Sequence, residues 1–166
     1  MSKRRGRKKS ESKRLTRDVN IRLAVQEDLP DVLEIVHKMG GYYPIPISDA
    51  KVLRTVVGTM KEGFVLVAEV GGRIVGVLGL EARQWWFSDD WFLGDNFFMI
   101  LPEHRGMEPF AALVKAAQSL SDKTEIPMML SILNPERTMA KIRLFSQVMD
   151  GECWGANFVY GMNERE

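Results

Sequence analysis

Apolar and polar positions alternate through VNIRLAV (19–25), which predicts a first strand. QEDLPDVLEIVHKM (26–39) changes period. Leu29, Val32, Leu33, Ile35 and Val36 fall on one helical face, with Asp28 placed to cap it. Gly and Pro punctuate GGYYPIPIS (40–48) as a loop, and Ser48 then caps a second helix over roughly 49–61. FVLVAEV (64–70) and RIVGVLGLEA (73–82) flank Gly71-Gly72, the strongest hairpin signal in the chain. Residues 83–93 extend the hairpin, with Ser88-Asp89-Asp90 as the next turn. GDNFFMIL (94–101) is a strand, 108–121 a helix, IPMMLSIL (126–133) a strand and 135–149 a helix. That last helix carries Asn134 at its cap and Pro135 at its first position. ANFVYGM (156–162) closes as a strand.

The expected order is therefore β-α-α-β-β-β-α-β-α-β, with no internal repeat and no second domain. A central sheet with helices on both faces satisfies such a pattern. Strand 94–101, helix 108–121 and strand 126–133 form a crossover unit, so those two strands should be parallel neighbours.

Charge divides the chain. Residues 1–17, MSKRRGRKKSESKRLTR, carry nine Lys/Arg and one Glu, about +8 of a net +1, leaving the remainder near −7. So few apolar residues cannot form a core, so this tail is expected to be disordered and 18–166 to be the folded domain. The tail is open to two readings, an arm for nucleic acid or another anionic surface and a solubilising extension. A single cysteine, Cys153, excludes an internal disulfide, and two histidines, His37 and His104, are too few for most metal centres, so no metal is expected. No run of 18 apolar residues is present and no apolar stretch follows the basic start, which fits a cytoplasmic protein.

The candidate chemistry lies in GDNFFMILPEHRGMEPFAALVKAAQ (94–118). A strand ends at Leu101-Pro102, a short turn follows, and a helix begins. The first N–H groups of a helix lack internal partners and the dipole makes that end positive, so a diphosphate is a favoured ligand. Arg105 adds fixed charge, and Gly106 lets a ligand approach the backbone. The same pattern also describes an ordinary strand-turn-helix with a surface arginine.

ILPEHRG with its following ALV helix resembles motif A of the GCN5-related N-acetyltransferase (GNAT) family. FVLVAEVGGRIVGVLGL is similar to the two strands that precede that motif. VNIRLAVQEDLPDVLEIV resembles the family's opening strand and helix, and NPERTMAKIRLFSQV its later helix. The resemblance spans roughly 19–162 and is nearest to small phage-borne and bacterial members. It implies a GNAT-like α/β (mixed α+β) fold, a mostly antiparallel sheet of about six to seven strands flanked by about four helices.

The resemblance also implies an enzyme that transfers acetyl from acetyl-CoA to a primary amine, small or protein-borne. The diphosphate loop would comprise His104, Arg105, Gly106, Met107, Glu108, Phe110 and Ala111. Glu108 and Phe110 stand where the family favours small residues, and Pro109 removes an N–H. Met99, Ile100 and Leu101 would carry the pantetheine arm, and Asn134 would contact the cofactor or simply cap its helix. Asp95 and Glu81 are the candidate proton acceptors. Phe145 occupies the place of a tyrosine proton donor, and Tyr160 has no assignable role. Tyr42 and Tyr43, beside Pro44 and Pro46, fall in the acceptor loop. Trp86, with Trp85 and Trp91, would wall the acceptor, pack the hairpin or form a homodimer seam. The departures from motif A leave a second reading open: a catalytically degenerate module of this fold whose tail engages nucleic acid or an acidic partner.

Overall fold

A computed structural model describes residues 18–43, 45–133, 136–155 and 158, without the side chains of Met39 and Met107. The basic tail, Pro44, Asn134, Pro135, Tyr160 and most of the expected strand 156–162 lie outside the described residues.

The elements run β1 (Val19–Leu23), α1 (Leu29–His37), α2 (Asp49–Glu62), β2 (Phe64–Val70), β3 (Arg73–Gln84), β4 (Trp91–Ile100), α3 (Met107–Thr124), β5 (Met128–Met129) and α4 (Thr138–Met149). The order matches the expectation through α4. The sheet among the described residues has five strands in sequential order, fewer than the six to seven expected. The pairs β1–β2, β2–β3 and β3–β4 are antiparallel, and β4–β5 is parallel, as a crossover through α3 requires.

Two faces are buried. Val65 and Val67 of β2 join Val77, Phe97, Met99 and Leu101 under α1 and α2. The alternate residues Leu66, Ala68 and Val70 join Leu78 and Leu80 under Leu113 and Ala117 of α3. A strand covered on both sides carries a continuous apolar run, which is why FVLVAEV shows no polar alternation. Gly71 and Gly72 take φ of +61° and +78°, the left-handed region a two-residue hairpin demands. Gly79 serves another purpose. A Cβ there would stand 2.4 Å from the Phe97 ring, so only glycine lets that ring lie across β3.

Three sequence expectations need correction. Asp28 does not cap α1 through its side chain. Its carboxylate accepts the Val25 N–H at 2.8 Å across a tight turn and receives the Arg22 guanidinium, which also reaches Glu69 at 2.7 Å. The expected strand 126–133 pairs only at Met128–Met129. The last helix begins at Thr138, with Arg137 at the cap position, rather than at Pro135.

Asp28 is buried and Arg22 is its counter-charge. The Arg22 hydrogen bond holds the Asp28 carboxyl below its ordinary range. A depressed carboxyl contributes stability above its unfolded value and loses it as pH falls through the folded one. Arg22→Ala strands a buried carboxylate and should cost about 2–3 kcal/mol at neutral pH. Denaturant midpoints measured from pH 7 downward should converge with wild type as Asp28 protonates. A constant deficit at every pH would contradict this assignment.

Candidate functional site

The sheet opens where β4 leaves β5. Their ladder joins Leu93 to Met128 and Gly94 to Met129, anchored by the Leu93 N–H on the Pro127 carbonyl at 2.8 Å. At the next residue a side chain replaces the backbone. Asp95 Oδ1 accepts the Ser131 N–H at 2.8 Å. On the other side of β4 the pairing with β3 slips. Gly79 faces Phe97 but Leu80 faces Asp95, leaving Asn96 as an extra residue. Bulges of this kind re-aim side chains and end regular pairing.

Asp95 and Glu81 are held by different elements. Asp95 reaches toward β5, and burial, the dominant influence, pushes its carboxyl above the ordinary range against the Ser131 hydrogen bonds and the Arg83 charge. Glu81 turns to α2, where its Oε1 lies 2.8 Å from the buried Thr59 hydroxyl. Asn96 Nδ2 donates to the same hydroxyl at 2.8 Å, and Arg83 donates to Asn96 Oδ1. Thr59 and Asn96 thus fix Glu81 in place, a role that isolated polar residues in the sequence did not signal.

Beyond Asp95 the far edge of β4 has no strand beside it among the described residues. The Leu101 N–H bonds the Val75 carbonyl at 2.8 Å, within the β3 ladder. Amides alternate in direction along a strand, so those of Met99 and Leu101 face β3 and those of Phe98 and Ile100 face the open edge. Of the three residues expected to pair with a pantetheine arm, only Ile100 has the required orientation. Phe98, which the sequence argument passed over, shares it. Met99 and Leu101 are core residues instead.

The chain then turns at Pro102–His104 into α3. Gly106 occupies the cap position with no side-chain hydrogen bond, so among the described residues no side chain caps the N–H groups at the start of α3. Pro109 leaves Gly106, Met107 and Glu108 as the available donors. A Cβ built on Gly106 meets nothing within 4 Å, and Glu108 is exposed. Phe110 is buried and aims inward. Its ring stacks on Phe98 at 5.5 Å and meets Phe145 of α4 edge-on at 4.8 Å. The small residue expected at that position is therefore replaced by one that packs beneath the helix, and Phe145 is part of the same three-ring cluster.

Arg105 stands beside the turn but not alone. Its guanidinium donates to the Tyr42 hydroxyl and lies 5.1 Å from the centre of that ring. Lys141 of α4, unnoticed in the sequence, is depressed chiefly by burial, with the Glu136 charge opposing and the Arg105 charge adding a little. Tyr43 is raised by burial and by Asp95. Trp86 is almost fully exposed at 93%, and Trp85 packs on Phe92 at 4.4 Å, with Trp154 at 6.5 Å. Asn134 lies outside the described residues. A shallow depression of about 520 Å³ between α3, β5 and the end of α4, lined by Lys115, Gln118, Asp122 and Met149, lies at the opposite end of α3 from the turn. Among the described residues no cluster of three or more His, Cys, Asp or Glu could hold a metal ion, and no helix is long and apolar enough to cross a membrane.

No protein-family model matches the chain, and no curated protein matches it in sequence. Solved structures do. A ribosomal-protein-alanine N-acetyltransferase of Brucella melitensis biovar Abortus 2308 superposes with a TM-score of 0.65 at 14% identity, covering 86% of this chain and 99% of that one. A GNAT family acetyltransferase of Staphylococcus aureus gives 0.61 at 14% identity, over 86% and 97%. An aminoglycoside 6'-N-acetyltransferase of Acinetobacter haemolyticus gives 0.65 at 16% identity, over 89% and 99%. The chain has the fold of the GCN5-related N-acetyltransferases.

Proposed function

We propose that this chain is an acetyl-CoA-dependent N-acetyltransferase acting on a primary amine. One observation carries the reading: among the described residues, a β4 edge with no strand beside it runs through a short turn into a helix start that has no side-chain cap and stands next to Arg105. That is a track of backbone donors and acceptors ending in a cationic, anion-binding turn. The residues fit the donor. Gly106 leaves open space, the N–H groups of Gly106, Met107 and Glu108 face it uncapped, and Arg105 supplies charge.

The donor, when bound, supplies a thioester. The amine nitrogen bonds the acetyl carbonyl carbon, the carbon–sulfur bond breaks, sulfur leaves as thiolate and the amine loses a proton. Ile100 and Phe98 would hold the pantetheine amides. Asp95, set where the strands part, is the proton acceptor, because one oxygen is fixed by Ser131 and burial favours the protonated form it must reach. Glu81, fixed by Thr59, is the rival. Phe145 cannot donate a proton to the leaving thiolate, so that proton comes from solvent.

The test is donor binding. Acetyl-CoA at a hundredfold its Kd stabilises a fold by about 2.7 kcal/mol, which for a domain of this size is a Tm rise of roughly 5–10 °C. No rise at millimolar donor sinks the reading. The inward-packed Phe110, with Pro109, then favours the second one, a binding module without catalysis. On that reading, deleting residues 1–17 removes a steeply salt-dependent affinity for nucleic acid.

A further inference from the structure

We infer that Tyr42 belongs to the donor site, as the residue that positions Arg105. The inference rests on the donor-binding reading above and reassigns a tyrosine that the sequence placed with the acceptor. Tyr42 is anchored independently of Arg105. It ends a short helical turn, Lys38–Tyr42, that follows α1, and its ring packs against the core under α1 and α2. Arg105 has no such anchor. It is exposed and flanked by Gly106 in extended conformation. An unrestrained arginine forfeits side-chain entropy on meeting an anion.

Two contacts remove that freedom in advance. The Tyr42 hydroxyl accepts from one guanidinium nitrogen, and the ring lies near the cation, which is attracted to its face. A guanidinium has five N–H donors, so one bond to a hydroxyl leaves the others for a diphosphate. Tyr42 therefore aims Arg105 without consuming it.

A double-mutant cycle on donor affinity tests this, read by calorimetry with acetyl-CoA against wild type, Tyr42→Phe, Tyr42→Ala, Arg105→Ala and the double Tyr42→Ala/Arg105→Ala. Wild type must bind first; if it does not, the proposed function fails and this inference with it. Given wild-type binding, Tyr42→Ala should weaken donor affinity about tenfold, and Tyr42→Phe, which keeps the ring, by about threefold. In the Arg105→Ala background Tyr42→Ala should change little, since a positioning residue has nothing left to position. Steady-state kinetics should show the Tyr42→Ala loss in the donor KM rather than in kcat. The inference is overturned if Tyr42→Ala costs the same factor with and without Arg105, or nothing at all, while the Tm of the free protein certifies folding in each variant.

Discussion

Arg105→Glu should abolish stabilisation by acetyl-CoA while leaving the free protein's Tm within about 1 °C of wild type. The asymmetry follows from position. Arg105 is exposed and its described contacts are with Tyr42, so its loss costs the fold little, as surface substitutions generally do. For the donor the change is large. A cation beside uncapped N–H groups becomes an anion, joining Glu108 on the same turn. Replacing attraction by repulsion at a diphosphate should weaken binding by at least about 100-fold, or 2.7 kcal/mol. Thermal shift over a donor titration reads both quantities at once. Retained stabilisation by donor in Arg105→Glu would place the diphosphate elsewhere.

Asp95→Asn should separate stability from activity. Burial raises this carboxyl, so the folded state favours its protonated form. For a raised acid, ionisation costs stability as pH climbs from the unfolded value through the folded one, and the cost is complete above it. Asparagine keeps an oxygen for the Ser131 N–H and carries no charge. At pH 7 Asp95→Asn should therefore raise Tm by roughly 2–4 °C, the equivalent of about 1 kcal/mol in a domain of this size. The gain should shrink on acidification.

Activity should move the other way. An amide accepts no proton, so kcat should fall by about 10²–10⁴ if Asp95 is the base. Asp95→Ala supplies the contrast. It removes the acceptor for Ser131, so it should destabilise by about 1–3 kcal/mol. A stabilised Asp95→Asn with undiminished kcat would transfer the base role to Glu81, which Glu81→Gln tests directly.

The architecture was legible where one physical signal dominated. Gly71-Gly72 between two apolar runs could only be a hairpin, and Ser48 caps α2 as read, accepting the Lys51 N–H at 3.4 Å. The helical stripe of α1 and the parallel crossover through α3 were equally readable. What failed depended on partners far along the chain. Asp28 suited an N-cap by spacing, but Arg22 and the Val25 N–H outbid the helix for its oxygens. IPMMLSIL has the composition of a strand, yet its ladder stops after two residues because Asp95 takes the next N–H. The turn at Arg105-Gly106 was visible, but the Tyr42 contact spans 63 residues and leaves no local trace. The direction of each β4 amide depends on register against β3, and a one-residue bulge cannot be counted from sequence.

That extra residue at Asn96 reaches beyond the site. Residues two apart on a regular strand share a face, yet Leu80, opposite Asp95, belongs to the layer under α3, whereas Phe97 belongs to the layer under α1 and α2. The in-out alternation of β4 thus reverses partway along. Like β2 and β3, β4 supplies residues to both layers, so damage to either layer is felt at the cleft where Asp95 sits.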